Sequence, residues 1–316
     1  MVRPNPSAAV ELAPDVAWLR SSFANVYLVG KAENWVLIDA GVVGYTRQIL
    51  DAVHVRFGEN AKPKAILLTH GHYDHVGCAR DLIRLWNVPA YAHPMEFPYL
   101  TGKSLYPRKD PTVGGAMGFL SRFFPARTVN LGDSLLALPP GNEVPALPGW
   151  QWIFTPGHAP GHVSFWRESD RTLIAGDVVA TADLDSWRGM MSRKKQLSGA
   201  RSPFVYDWAK TKTSVEALAA LRPHVLACGH GEPMEDAADE LAAFATGFTP
   251  PAKGRYVDVA ARTDADGVVY EPPPPRDNLP KMAAGLVAGV FVLAGVVYRK
   301  RGKNAQRDFR PAEPRS

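Results

Sequence analysis

Thr69-His70-Gly71-His72-Tyr73-Asp74-His75 follows directly on the apolar run Ala65-Ile66-Leu67-Leu68. Three imidazoles and a carboxylate within six residues do not make a core motif, because each would need a polar partner in the interior. A divalent zinc, iron or manganese ion is such a partner, since neutral imidazole nitrogen and carboxylate oxygen are its ligands. His70 and His72, two apart on an extended turn, can point to one metal. Asp74 and His75, expected at the start of the next helix, can turn to a second.

Four residues cannot fill two coordination shells, so further donors are required downstream, each just past a strand. They are present. Thr155-Pro156-Gly157-His158 follows the strand reading Trp152–Thr155, Ala175-Gly176-Asp177 ends the one at Thr172–Ala175, and Cys228-Gly229-His230 follows Val225–Ala227. A glycine beside each candidate lets the backbone turn and present the side chain at the strand end.

These segments, with the Asp39 of Leu37-Ile38-Asp39-Ala40-Gly41, stand in the order found in the metallo-beta-lactamase-fold hydrolase superfamily, glyoxalase II and lactonases included, which the chain resembles over about residues 16 to 235. The resemblance implies an α/β fold, a four-layer αβ/βα sandwich with a metal pair at one edge. It implies that His70, His72 and His158 hold one metal, that Asp74, His75 and His230 hold the other, and that Asp177 bridges them. Asp39 is then a group that orients a ligand. His162 competes with His158 within Thr155–His162; by the same resemblance His158 is the ligand and His162 a buried hydrogen bonder. His93 has two readings, as a residue lining the substrate pocket and as a structural one. Cys228 is not needed as a thiolate ligand, the pair being already filled.

Around this site the chain alternates apolar runs with Gly/Pro punctuation. Short strands are expected at Val16–Arg20, Val26–Val29, Trp35–Ile38, Ala65–Leu68 and Val163–Trp166, and helices at Thr46–Phe57 and Lys210–Leu221. Strand runs with helices between them suggest a layered α/β sandwich. Residues 97–129 and 181–203, rich in Gly, Pro and basic side chains, read as surface loops of the kind that wall a substrate pocket. The catalytic domain is expected to close near residue 250. A β-hairpin from Arg255–Ala260 and Gly267–Tyr270 and a Pro-rich linker to residue 281 follow it.

The net charge of +5 belongs to the last 18 residues, which carry seven Lys and Arg against two acidic residues; residues 1–298 hold 29 of each sign. A nucleic-acid-binding body is therefore not indicated. Met282–Tyr298 is 17 residues without a charge, about 25 Å as a helix, slightly short of a ~30 Å hydrocarbon core. It is expected to be a C-terminal apolar helix anchoring the protein to a membrane, with the catalytic domain in the cytoplasm; a soluble cytoplasmic protein with a packed helix is the alternative. The two cysteines cannot staple a chain of this length.

The expected cofactor is two divalent metal ions, zinc first, with iron and manganese accepting the same ligands. The expected chemistry is attack by a metal-bridging hydroxide on a small ester, thioester or lactone, with Asp74 relaying a proton to the leaving group. The absence of a GxSxG elbow favours direct attack by water. A nuclease or phosphodiesterase and an iron-dependent oxidoreductase are alternatives within the fold, and a membrane-tethered protein with a structural metal is an alternative outside catalysis. The true beta-lactamases of the superfamily lack the aspartate matching Asp177, which disfavours antibiotic hydrolysis. Basic residues of the two long loops are expected to receive an anionic group of the substrate.

Overall fold

The run Trp35-Val36-Leu37-Ile38 carries no polar side chain because it is buried on both faces. Trp35 and Leu37 enter one apolar cluster, Val36 and Ile38 another, which is the two-residue alternation of an extended strand inside a layered protein. The computed structural model describes residues 9–124, 126, 129–191, 194–199 and 202–277. The apolar segment 282–298 and the basic tail 299–316 lie outside them. Among the described residues no helix is long and apolar enough to cross a membrane.

Two mixed sheets carry the fold. The first takes β1 (Val10–Ala13), β2 (Val16–Ser21), β3 (Ala24–Lys31), β4 (Asn34–Ile38), β5 (Ile66–Leu67), β6 (Ala90–Ala92) and β7 (Leu135–Ala137) in chain order. Its strands are antiparallel through β4 and parallel from β4 to β7. The second begins with β8 (Trp150–Phe154), β9 (Val163–Arg167) and β10 (Thr172–Gly176). The chain then forms a separate pair, β11 (Val179–Ala180) with β12 (Ser198–Gly199), and returns through β13 (Val225–Cys228) and β14 (Met234–Glu235), giving the order β14-β13-β10-β9-β8.

Helices α1 (Thr46–Phe57) and α2 (Ala79–Trp86) cover the first sheet, where Ile49, Val53, Leu82 and Trp86 pack with Leu28, Trp35 and Leu37. Short helices α3 (Phe97–Leu100), α4 (Gly115–Leu120) and α5 (Trp187–Met191) lie in the two long connections. The first of these is more than a surface loop: Tyr99, Leu100, Ala116 and Met117 are buried. Helices α6 (Trp208–Ala220) and α7 (Ala238–Gly247) cover the second sheet, where Val215, Leu218 and Leu241 meet Leu173 and Leu226. Asp207 starts α6 by accepting the Lys210 N–H at 3.0 Å. Between the sheets lie Val16, Val29, Val36, Ile38, Phe165 and Ile174. Helix, sheet, sheet, helix is thus the layering, with each large apolar side chain worth roughly 1.5–3 kcal/mol on burial.

The compact unit runs to Pro274. Its hairpin joins β15 (Arg262–Asp264) to β16 (Gly267–Tyr270), so the first hairpin strand starts later than the expected Arg255–Ala260. The earlier residues are engaged elsewhere. The Arg255 N–H donates to the buried Asp110 carboxylate, and the Tyr256 hydroxyl donates to Arg108 O at 2.7 Å.

Polar bonds as well as apolar contacts join the two sheets. Asn25 on β3 is fully buried; its amide donates to Cys228 O at 2.8 Å and Gly231 O at 2.6 Å, and its backbone N–H to Gly229 O at 2.9 Å. Asn25→Ala takes the side-chain donor from the Gly231 carbonyl and leaves the Cys228 carbonyl to the Tyr27 hydroxyl at 2.5 Å, and is expected to cost about 1–3 kcal/mol. Urea unfolding measures it, and an unchanged midpoint would show that these bonds do not hold the halves together.

Candidate metal centre

The seven expected metal-type side chains and Asp39 lie past the C-terminal ends of strands. Asp39 follows β4, the His70–His75 segment follows β5, His158 follows β8, Asp177 follows β10 and His230 follows β13. The His70–His75 segment does not enter a helix directly. The N–H groups of His75 and Val76 both bond to His72 O, at 2.9 and 3.1 Å, closing a turn, and α2 begins only at Ala79. Asp74 and His75 are therefore aimed by a turn, a correction to the helix start expected for them.

The seven side chains converge. His70, His72 and His158 bring ligand-type atoms within 4.8 Å of one another, as do Asp74, His75 and His230, and as do His70, His75 and Asp177, which link the first two groups. His72 Nδ1 faces His158 Nε2 at 2.9 Å, and His75 Nε2 faces His230 Nε2 at 3.3 Å. Asp177 reaches both sides: its Oδ2 is 3.4 Å from His158 Nε2 and 3.2 Å from His230 Nε2, and its Oδ1 is 3.5 Å from His75 Nε2. Asp74 Oδ2 is 3.5 Å from His230 Nε2. All are buried except the half-buried His72.

Neighbouring groups set which nitrogen of each ring faces inward. Asp39 Oδ2 accepts from His75 Nδ1 at 2.8 Å and from the Thr69 hydroxyl at 2.8 Å, and that hydroxyl accepts from His70 Nδ1 at 3.0 Å. Phe23 O accepts from His230 Nδ1 at 2.8 Å. The Nε2 lone pairs of His70, His75 and His230 are left facing the cluster, and His70 Nε2 is buried with no hydrogen-bond partner among the described residues. Facing lone pairs repel one another unless positive charge lies between them. Burial opposes a charged His75, yet the carboxylates of Asp177, Asp39 and Asp74 outweigh it and hold its pKa well above the imidazole range. Burial, reinforced by His75, His72 and His158, holds His70 well below that range. An orphaned nitrogen beside carboxylates that attract cations is a donor set that fits divalent metal.

The backbone is shaped to this crowding. A Cβ at Gly229 would fall 2.0 Å from Asp177 Oδ1, and one at Gly176, where φ is +56°, would fall 2.5 Å from His162 Nε2.

The sequence profile of the Metallo-beta-lactamase superfamily matches residues 20–230, two thirds of the chain. The chain belongs to this superfamily. Over 231 residues it is 39% identical to the probable metallo-hydrolase YflN of Bacillus subtilis, covering 72% of this chain and 88% of that one. It is 29% identical over 210 residues to the probable metallo-hydrolase YqgX of the same organism, covering 66% and 85%. Among solved structures it resembles a beta-lactamase domain protein from Burkholderia ambifaria, with TM-score 0.55, 20% identity and coverage of 78% and 77%. The family protein TTHA1429 of Thermus thermophilus matches with TM-score 0.51, 22% identity and coverage of 75% and 80%. The two structural likenesses show the fold. Membership, with the His/Asp cluster, makes the protein a metal-dependent hydrolase.

Three further residues complete the picture of this superfamily member. His162 accepts the Asp177 N–H on Nε2 at 2.9 Å, so its Nδ1 carries the proton and donates to Thr155 Oγ1 at 2.9 Å. It sits behind Asp177 as a neutral hydrogen bonder. His93 is not among the residues lining the cavity beside His72. Its ring stacks on Phe154 with centroids 4.5 Å apart, and its Nδ1 accepts the Met95 N–H at 3.2 Å, which is the structural reading. Burial pushes the Cys228 thiol far up, and among the described residues Cys228 belongs to none of the groups whose atoms converge to hold a metal.

Glu96 was not singled out by the sequence, although it lies three residues after His93. It is fully buried. Its Oε2 accepts the Gly71 N–H at 2.8 Å and the Tyr106 hydroxyl, and its Oε1 accepts the Gly161 N–H at 2.6 Å. One carboxylate thus ties the His70–His72 turn to the loop that carries His158. Burial pushes its carboxyl up to about 7, although Tyr106, Gly161 and Gly71 pull the other way. Lone glutamates carry no spacing signal, which is why only the fold reveals it.

Two outcomes follow from these partners. Burial holds His162 down to about 3, against 6.5 in the unfolded chain. The unfolded state therefore takes up the proton first, and this contribution, full above pH 6.5, is lost as pH falls toward 3 at about 1.4 kcal/mol per pH unit. Urea midpoints of metal-free protein against pH should flatten by one proton in His162→Gln; parallel slopes would mean a charged His162 in the fold. Glu96→Ala should weaken metal binding by roughly 10–100-fold. Metal titration reads this, with circular dichroism to check the fold, and wild-type affinity would remove Glu96 from the site.

Proposed function

We propose that the protein is a dinuclear-metal hydrolase of a small ester, thioester or lactone. The observation that carries this is Asp177, one carboxylate within 3.4 Å of His158 on one side and 3.2 Å of His230 on the other. His70, His72 and His158 would hold one metal, Asp74, His75 and His230 the second, and Asp177 would join them. When bound, such a pair supplies a Lewis acid for the substrate carbonyl and a water whose pKa falls from ~15.7 toward ~7. Zinc is the first candidate; iron and manganese accept the same donors.

The chain's own residues do the rest. Asp39, Thr69 and the Phe23 carbonyl keep the ring protons on the outer nitrogens of His75, His70 and His230. Asp74, 3.5 Å from His230 Nε2, is the carboxylate placed to pass a proton to the leaving group. Substrate reaches the cluster through the half-buried His72, which lines a cavity of about 710 Å³. The buried, protonated Cys228 offers no nucleophile, which supports direct attack by water.

The test is turnover by full-chain protein on matched esters, thioesters, lactones and phosphodiesters, with elemental analysis of protein purified without added metal. Two metals per chain and hydrolysis of carbonyl substrates are expected. His72→Ala and Asp177→Ala should lose metal and more than about 100-fold in turnover, beyond the cost of losing an outer partner. A His72→Ala protein that lacks metal yet keeps full turnover would sink the mechanism, and phosphodiester cleavage alone would shift the substrate class.

A further inference from the structure

The cavity beside His72 has more chemistry in it than hydrolysis requires. At about 710 Å³ it is large enough to enclose a substrate of drug size. Its walls include apolar surface from Leu105 and Phe204, one carboxylate, Glu271, and three cations, Lys103, Arg108 and Lys109, all three from the 97–129 connection. Arg122 of the same connection turns away to the Gly118 carbonyl at 2.8 Å. Of the 181–203 connection, Lys194 and Lys195 line a separate cavity of about 230 Å³.

The three cations are not equivalent. Lys103 is paired with Asp266 at the tip of the C-terminal hairpin. Arg108 is tied to Glu271 twice, its backbone N–H donating to Oε1 and its Nε lying 3.7 Å from Oε2, and Arg255 approaches the same carboxylate at 3.6 Å. Lys109 differs from both. It is half-buried, its ammonium donates to the main-chain carbonyl of Phe124, and no carboxylate of the described residues forms an ion pair with it. Burial lowers its pKa, which marks an ammonium short of counter-charge. A cation kept partly dry at the wall of the reaction cavity is a cost to the fold unless something anionic comes to it.

We propose that Lys109, with Arg108 beside it, receives an anionic group of the substrate. The substrate class is then an ester or thioester bearing a carboxylate or phosphate away from the scissile carbonyl, with an apolar stretch against Leu105 and Phe204. This rests on the hydrolytic reading above. A remote ionic contact of this kind positions the carbonyl and appears mainly in KM, because it is the same before and during reaction. Lys109 is a binding residue and touches no reacting atom.

The experiment uses full-chain, metal-loaded protein and two aryl butyrates identical except for a para-carboxylate on the leaving group. Wild type should prefer the carboxylated ester at least tenfold in kcat/KM. Lys109→Met should lower that preference at least fivefold through KM, Lys109→Arg should retain it, and Lys212→Met, a surface charge on α6, should leave it as in wild type. Calorimetric titration with octanoate provides a readout free of turnover, and Lys109→Met should bind it at least fivefold more weakly. Equal kcat/KM for the two esters, or octanoate bound as tightly by Lys109→Met as by wild type, would overturn the anion site and leave hydrolysis standing. No turnover of either ester, with octanoate binding still dependent on Lys109, would overturn hydrolysis and keep the anion site.

Discussion

Five imidazoles and two carboxylates share one nearly dry space at the strand ends, and most of their inward-facing atoms are lone pairs. Such a set repels itself unless positive charge lies within it. Metal ions are the natural source of that charge, and the carboxylates of Asp177, Asp39 and Asp74 already bias His75 toward a cation. Much of the surrounding structure answers to this constraint. Gly229 and Gly176 remove side chains where Asp177 and His162 must pass, and Asp39 adopts a left-handed backbone, φ +59°, to place both its oxygens on Thr69 and His75.

Orientation in the cluster is relayed outward through the two sheets. Asp39 ends β4 and serves residues after β5, while Asn25 of β3 holds the carbonyls on either side of His230. His162 supports Asp177 from the loop before β9 and is itself held through Thr155 and Ser164, whose hydroxyl donates to Ala175 O at 3.0 Å. His75, Asp177 and His230 are thus each held by a neighbour far away in the chain. The cluster and the packing of the sheets are one cooperative unit, which is the physical reason a hydrogen-bonding residue far in sequence can matter to metal affinity.

The surroundings of the cluster are asymmetric. Six of the seven donors are buried, and His72 alone is half-open, on the side where the 97–129 connection builds its wall. That connection has a buried inner part, Tyr99 and Leu100, and an outer part carrying cations. The buried part ties it to Glu96 through Tyr106, so the cavity wall and the turns that carry the cluster share an anchor.

The sequence alone was enough for the superfamily and for naming the seven residues that the fold brings together. The reason is that strand patterning and ligand spacing are local properties: Trp35–Ile38 reads as a strand and His70–His75 as a run of metal-type ligands without reference to any distant residue. Tertiary structure decided what depends on groups far apart in the chain. It placed His93 against Phe154 instead of the cavity and made Glu96 the tie between two loops 90 residues apart. It moved the hairpin strand to Arg262–Asp264, because Arg255 and Tyr256 are taken by Asp110 and Arg108. Among the described residues it also left Lys109 without a carboxylate partner of the kind that Lys103 and Arg108 find in Asp266 and Glu271. Pairing of charges and packing of rings are set by three-dimensional distance, which local pattern does not encode.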